Sequence, residues 1–405
     1  MSQTSAAPAA QDSYVPALDG LRGAAIVAVL LFHTDRLPGG FLGVDLFFAL
    51  SGYLITGQLL REVRATGGVS LAAFWGRRTR RLLPALAVLL VVVTVLVRLV
   101  GPADLVRTTL ADGPWVQANL VNWHLLAESA GYWDRFGPER VFEHLWSIAV
   151  EEQFYLCWPV VVALLARLAV RGRAGRRAEA VTAVVAVVVS VLSLALMVGL
   201  HEPSDPARVY TGTDTRAFSL LLGAAAATAG VRALLARLPA RAAGAALGVL
   251  VVTLGVAWAL VDGTRSPWLY TGGLFAHALL SALLVGLVAQ VLAARVSRAL
   301  ARGPLPWLGS VSYSLYLWHW PVAVLLAPVR NDLGDGWGDV LVWLVSVALA
   351  AASKYLVEDP VRFRARWARG RPGVLAAVAV TAVLVLLWML VPGPAPVVVD
   401  VTRLG

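Results

Sequence analysis

The chain has 405 residues, of which 59% are hydrophobic and only 14% charged, against about 25% charged in soluble domains. With a mean hydropathy of +0.74, that balance excludes a soluble globular domain and leaves a polytopic membrane protein. The net charge of +10 is spread over loops, so it does not call for nucleic acid, and the single cysteine, Cys157, excludes a disulfide framework or a Cys-based metal site.

Residues 1–13 read as a disordered tail. No Lys or Arg occurs in the first 21 residues, so a cleaved signal peptide, which needs a basic start, is not expected. Apolar runs of span length lie near 17–35, 41–60, 82–100, 144–168, 180–200, 214–235, 243–261, 272–294, 307–328, 338–356 and 373–392. The expected fold is an all-α polytopic membrane bundle of about 10–11 transmembrane helices. Most of the 34 Lys and Arg fall in segments 61–81, 167–177, 232–241, 295–302 and 354–371, which share one side. The positive-inside rule makes that side cytoplasmic, with the N-terminus inside, the C-terminus outside and the chain in the plasma (inner) membrane. The segment 101–143 then lies outside. Its Trp115, Asn119, Asn122, Trp123, Tyr132 and Trp133 suit either headgroup anchoring or stacking on a sugar-like acceptor.

The first span, ALDGLRGAAIVAVLLFHT, places Arg22 and His33 within about 20° of one helical line, with Asp19 about a turn below Arg22. Titratable groups on an apolar span are costly and line functional cavities; the alternative for His33 is a packed structural histidine. The second span holds GVDLFFALSGYLIT (43–56). Its Asp45 either orients His33 or pairs with an arginine. RRTRRLLP (77–84) brings Arg77, Arg78, Arg80 and Arg81 to the cytoplasmic mouth, where guanidinium forks match phosphate oxygens or anionic headgroups.

HLWSIAVEEQFYLCWP (144–159) carries Glu151 and Glu152, about 100° apart on a helix, so one is expected to face a cavity and the other to pair structurally. Cys157 reads as a small core residue. In TDTRAFSLLLGAAAA (213–227), Asp214 and Arg216 could line the mouth as a pair, while Gly223 and Ala227 suit close helix packing. LGSVSYSLYLWHWP (308–321) puts Ser312, Tyr316 and His319 on one stripe with Tyr313 and Trp320 beside it. His319 reads equally as structural or reactive. VEDPVR (357–362) closes the tenth span at the inner surface. A polar path with paired carboxylates also suits a transporter or flippase that performs no covalent chemistry. A third reading, a nonenzymatic receptor for anionic lipids, leaves His33, Glu151 and Glu152 unexplained.

Taken in order, LDGLRG with His33, GVDLFFALSGYLIT, RRTRRLLP, HLWSIAVEEQFYLCWP, TDTRAFSLLLG and SYSLYLWHWP resemble the acyltransferase-3 family of integral-membrane O-acyltransferases. The resemblance covers residues 14–362, leaving 363–405 as a linker, a last helix and a short external tail. It implies transfer of an acyl group from cytoplasmic acyl-CoA, a co-substrate and not a bound cofactor, to a hydroxyl on a glycan, lipid-linked sugar or macrolide-like metabolite. The family's motif histidine falls on His33, its arginines on Arg22 and Arg77 to Arg81, and the glutamates of its VEEQFY string on Glu151 and Glu152. His33 is then expected as general base or short-lived acyl carrier, with Asp45 or a glutamate supporting it. Asp214, Arg216, Tyr313, Tyr316, His319 and Trp320 would line the acceptor side, and no metal is expected. Many relatives add an SGNH-type domain after the last span. No GDS-like string follows here, which weighs toward a small or lipid-linked acceptor over a wall polymer.

Overall fold

The computed structural model describes residues 14–129, 140–168 and 174–394, and among them the chain is helical with no strand. The tail 1–13, Tyr132 and Trp133, part of RGRAGRR (171–177), and residues 395–405 of the C-terminal tail lie outside the described residues.

Each expected apolar run corresponds to a helix. Helix α1 (Pro16–Phe32) starts with proline in its first turn, where the missing N–H costs nothing. It ends at His33, whose N–H donates to Val29 O (3.1 Å). Helix α2 (Gly43–Thr66) stops at Gly67, which takes the left-handed φ of +78° that closes helices. Helix α3 (Leu71–Val100) has 30 residues, about 45 Å at 1.5 Å per residue. It outruns a hydrocarbon core of about 30 Å and begins well before the apolar run at 82. The excess length carries the arginine cluster, whose long stems let the guanidiniums reach water.

Two short helices, α4 (Ala103–Gln117) and α5 (Val121–Ala127), lie within the segment 101–143. They are followed by α6 (Trp146–Leu168), α7 (Ala174–Gly199), the turn α8 (Ala207–Thr211) and α9 (Thr213–Ala226). Helix α10 (Ala229–Leu235) continues α9 after a 72° bend. Then come α11 (Ala240–Leu260), α12 (Gly273–Val288), α13 (Arg295–Leu300), α14 (Leu305–Leu325), α15 (Ala327–Leu333) and α16 (Asp335–Ala352). A π-helical stretch over Ser353–Glu358 and Pro360–Arg364 leads to α17 (Gly370–Leu390).

Among the described residues, seven helices are long and apolar enough to cross a membrane, or eight with the bent α9–α10 pair. The other expected spans are α1 and α12, of 17 and 16 residues, and α14, whose Ser, Tyr, Trp and His residues dilute its hydropathy. These three are buried among other helices, so they can carry polar groups that a lipid-facing helix cannot.

Glycines set the closest approaches. Helices α1 and α14 run side by side in the same direction, forming the most extensive pairing in the bundle. A Cβ on Gly23 would lie 2.1 Å from Leu305 O, and one on Gly309 would lie 1.8 Å from Asp19 O. Helices α2 and α9 cross the same way at Gly52 and Gly223, where a Cβ would lie 1.8 Å from Leu220 O and 2.1 Å from Ala49 O. The small-residue face of α9 is therefore a packing surface. Cys157 departs from its expected place: it is exposed on α6.

Candidate active site

Helices α1, α2, α3, α6 and α14 enclose a cavity of about 590 Å³, including the part open to solvent. Arg22, Arg78 and Arg81 line it together with Ser51, Glu151 and Tyr155, and it reaches Ser147 and Tyr316. The shared direction of α1 and α14 orders these groups. Asp19 meets Gly309 near the helix starts, beside Arg22, and His33 meets His319 near their ends. The arginines therefore mark one end of the path and the histidines the other.

The arginine cluster divides by helical face. Arg78 and Arg81, three residues apart, turn into the cavity toward Arg22, and Arg78 also stacks over the Tyr155 ring (5.1 Å). Arg77 and Arg80 do not line it. Arg77 faces Glu62 (3.6 Å) and Arg80 reaches Ala368 O (3.4 Å). The expected four-arginine mouth is thus a trio made of Arg22, Arg78 and Arg81. At its rim Tyr14 Oη donates to Asp19 (2.6 Å), which pushes the phenol up to about 12 because ionisation would set two anions side by side.

The two glutamates separate as their 100° offset requires. Glu151 lines the cavity and accepts from Ser51 Oγ and from Tyr155 Oη (2.6 Å). Glu152 does not line it. Tyr313 also faces the cavity, and its hydroxyl donates to Leu82 O (2.9 Å).

Beyond Tyr316 lies a cluster of three imidazoles. The His319 ring centroid is 4.9 Å from that of His33, 5.2 Å from His144 and 5.3 Å from Tyr316. Tyr316 Oη donates to His144 O (2.9 Å) and lies 2.6 Å from Ser147 Oγ. Trp320 packs on His33 (4.9 Å) while its indole N–H donates to Arg140 O (2.9 Å). His33 itself is not part of the cavity wall; Tyr316 and His319 stand between them.

Asp45 is not a partner of His33. Its carboxylate pairs with Arg216 (2.7 Å), accepts from Ser219 Oγ (2.7 Å) and faces His277 Nδ1 (3.3 Å), all buried between α2, α9 and α12. Trp258 donates to His277 Nε2 (3.1 Å), so the His277 proton sits on Nδ1, toward Asp45. A buried Asp on a span needs a cation, and α9 supplies it. Arg216 and Asp214 therefore do not pair with each other or line the cavity. Asp214 forms a two-pronged pair with Arg208 (2.9 and 2.7 Å).

Two polar networks tie α4 and α5 to the rest of the bundle. Gln153, Asn122 and Thr213 interlock α6, α5 and α9: Gln153 Nε2 donates to Asn122 Oδ1 (3.0 Å) and Thr213 Oγ1 donates to Gln153 Oε1 (2.6 Å). Asp112 is fully buried against Arg140 and His124. Burial pushes its carboxyl above the ordinary range, against the pull of both partners. Trp115 stacks on His124 (5.2 Å) and Asn122 is buried, so these residues brace the bundle.

Sequence reasoning passed over His144, Ser51, Ser147 and Tyr155. His144 and Ser147 lie in the same string as Glu151, two turns and one turn earlier respectively. Only their contact with α14 makes them visible.

The Acyl_transf_3 model, described as an acyltransferase domain, matches residues 15–390. The chain is 37% identical over 358 residues to YrhL of Bacillus subtilis, covering 86% of this chain and 55% of that protein. It is 34% identical over 356 residues to the peptidoglycan O-acetyltransferase OatA of Listeria monocytogenes, covering 86% and 56%. To the O-acetyltransferase OatA of Staphylococcus aureus it is 33% identical over 360 residues, covering 86% and 57%. The chain thus spans little more than half the length of these relatives, and no solved structure matches it. With a family model matching nearly the whole chain and five of the six motifs meeting around one cavity, the chain belongs to the acyltransferase-3 family of membrane proteins.

Proposed function

We propose that this chain transfers an acyl group, acetyl by the names of its relatives, from acyl-CoA to a hydroxyl of a cell-envelope glycan. The observation that carries this reading is one cavity running from Arg22, Arg78 and Arg81 to Tyr316, with His33 just beyond it. The arginine trio holds the nucleotide phosphates, since guanidiniums pair with phosphate oxygens in a fixed fork geometry. The eleven residues from Arg22 to His33 span about 16 Å, the length over which a pantetheine arm would extend along α1. The thioester carbonyl then lies at Tyr316 and Ser147, the end of the cavity nearest His33.

The acceptor hydroxyl arrives from the opposite side. His33 takes its proton as the oxygen attacks the thioester carbon. The C–S bond breaks, and the departing thiolate recovers that proton, so ester and free CoA thiol are the products. A positioned general base contributes roughly 10²–10⁴ in rate. This reading puts the arginine mouth on the cytoplasmic side of the inner membrane, as the loop charges suggest. The relatives' names shift the acceptor from a small metabolite toward peptidoglycan.

The test uses the purified full-length protein, labelled acetyl-CoA and a soluble β-1,4-linked N-acetylglucosamine oligomer. Acceptor-dependent release of CoA, abolished in His33→Ala, is expected. Uptake of label into vesicles without thioester cleavage would support the transport reading instead, and full turnover in His33→Ala would remove His33 from the chemistry.

A further inference from the structure

The His33 ring sits between two acceptors. Its Nδ1 lies 2.9 Å from Val29 O and 3.3 Å from His319 Nε2. The His319 ring is constrained in turn: its Nδ1 lies 2.7 Å from Tyr316 O and 3.2 Å from Leu315 O. A lone pair on that nitrogen would face two carbonyl oxygens, so the proton must be there. A neutral imidazole has one donor and one acceptor nitrogen, which leaves His319 Nε2 as an acceptor aimed at His33. His33 Nδ1 must then carry the proton, and its Nε2 is the basic nitrogen.

We propose that His319 is a positioning residue that, together with Val29 O, holds His33 in the Nδ1–H tautomer and steadies the imidazolium formed when His33 accepts a proton. This rests on the reading of His33 as general base. It assigns to a neutral imidazole the part that a carboxylate plays in a Ser-His-Asp triad. The carboxylates that could have played it are engaged elsewhere: Asp45 with Arg216, and Glu151 with Ser51 and Tyr155. The chain of control starts at the backbone of α14. The carbonyls of Leu315 and Tyr316 face the His319 ring one turn back along α14, while Pro321, whose ring cannot donate an N–H, frees Leu317 O for His144.

The arrangement fits a buried site. A carboxylate beside His33 would need its own counter-charge inside the bundle, whereas His319 is buried and needs only hydrogen bonds. His144 completes the cluster without adding a donor toward His319: its Nε2 lies 3.2 Å from Leu317 O, so its proton points at that carbonyl.

The test compares His319→Gln with His319→Phe in the full-length protein. Gln carries an amide oxygen near the position of Nε2, while Phe fills the space with no acceptor. With acetyl-CoA and the N-acetylglucosamine oligomer, His319→Phe is expected to lower kcat about 100-fold, short of the roughly 10⁴ lost when a triad histidine takes the wrong tautomer, because Val29 O remains. His319→Gln is expected to stay within about tenfold of the parent protein, with KM for acetyl-CoA moving less than about threefold in either variant. Ring-¹⁵N histidine NMR gives a readout that needs no turnover. The His33 signal, identified by its loss in His33→Ala, should report a protonated Nδ1 in the parent protein and a tautomer mixture in His319→Phe. Equal kcat in the Phe and Gln variants, or an unchanged His33 tautomer in His319→Phe, overturns the proposal. If the parent protein shows no acyl transfer at all, the functional reading fails while the NMR comparison still decides the tautomer.

Discussion

Asp45 and Arg216 are 171 residues apart in the chain and 2.7 Å apart in space, with both side chains essentially buried. Ser219 and His277 close around the same carboxylate, and the Arg216 guanidinium lies over the Tyr210 ring (5.0 Å). The pair joins α2 to α9 one turn of helix or more away from their glycine contacts, so charge and close packing fix the same crossing.

Removing either charge should destabilise the bundle. Breaking a buried pair costs about 3–5 kcal/mol because the partner is left uncompensated. Asp45→Ala and Arg216→Ala should each lower the melting temperature in detergent markedly. A double Asp45→Leu, Arg216→Met variant should recover much of the loss. If Asp45→Ala melts like the parent protein, the pair contributes nothing to stability.

The arginines should divide by face. Arg78→Ala and Arg81→Ala remove cavity cations and should each raise KM for acetyl-CoA about tenfold or more, the size of a lost charged hydrogen bond of about 1.5–3 kcal/mol. Arg77→Ala, which removes a partly exposed ion pair with Glu62 worth about 0–1 kcal/mol, and Arg80→Ala, which removes a long hydrogen bond to Ala368 O, should each change KM less than about twofold. Steady-state kinetics on the four single variants checks this. Equal effects at all four positions would return the cluster to a diffuse basic mouth.

Glycine tolerance should follow contact. Gly52→Ala places a methyl 1.8 Å from Leu220 O, and Gly223→Ala places one 2.1 Å from Ala49 O; either should force α2 and α9 apart and reduce folded yield. Gly244→Ala and Gly248→Ala on α11 meet nothing within 4 Å and should be neutral or slightly stabilising, since alanine outperforms glycine in helices by about 1 kcal/mol. Size-exclusion profiles and thermal melts of the four variants give the comparison.

Glu151 should matter through the hydroxyls it anchors. Glu151→Gln keeps an acceptor for Ser51 and Tyr155, while Glu151→Leu leaves both hydroxyls without it. Leaving a buried donor unsatisfied costs about 1–3 kcal/mol, so the Leu variant should melt lower than the Gln variant. Equal melting temperatures would show that the three groups are not coupled.

Much of this was legible in the sequence because membrane helices announce themselves. An uninterrupted apolar run has few structural options in lipid, so the helix positions followed from hydropathy. The start of α3 did not, because Arg77 to Arg81 end the apolar run without ending the helix. The one-residue offset between Glu151 and Glu152 forecast that only one faces the cavity, but not which one. Periodicity likewise separates Arg78 and Arg81 from Arg77 and Arg80, yet it cannot say which pair turns inward. Asp45 was open between two partners, and its true one lies on a helix whose placement no local pattern encodes. His144 was missed for the same reason: its significance depends on α14 lying alongside it.

The parallel run of α1 beside α14 has a consequence for donor choice. Because Arg22 and His33 sit on one rigid rod, clamped by Gly23 and Gly309, the interval between phosphate anchor and base cannot stretch. The helix acts as a ruler. Under the proposed chemistry, a thioester on a bare cysteamine stub would offer the same reactive carbon without a handle at the zero mark. The enzyme would then measure its donor by reach as well as by charge.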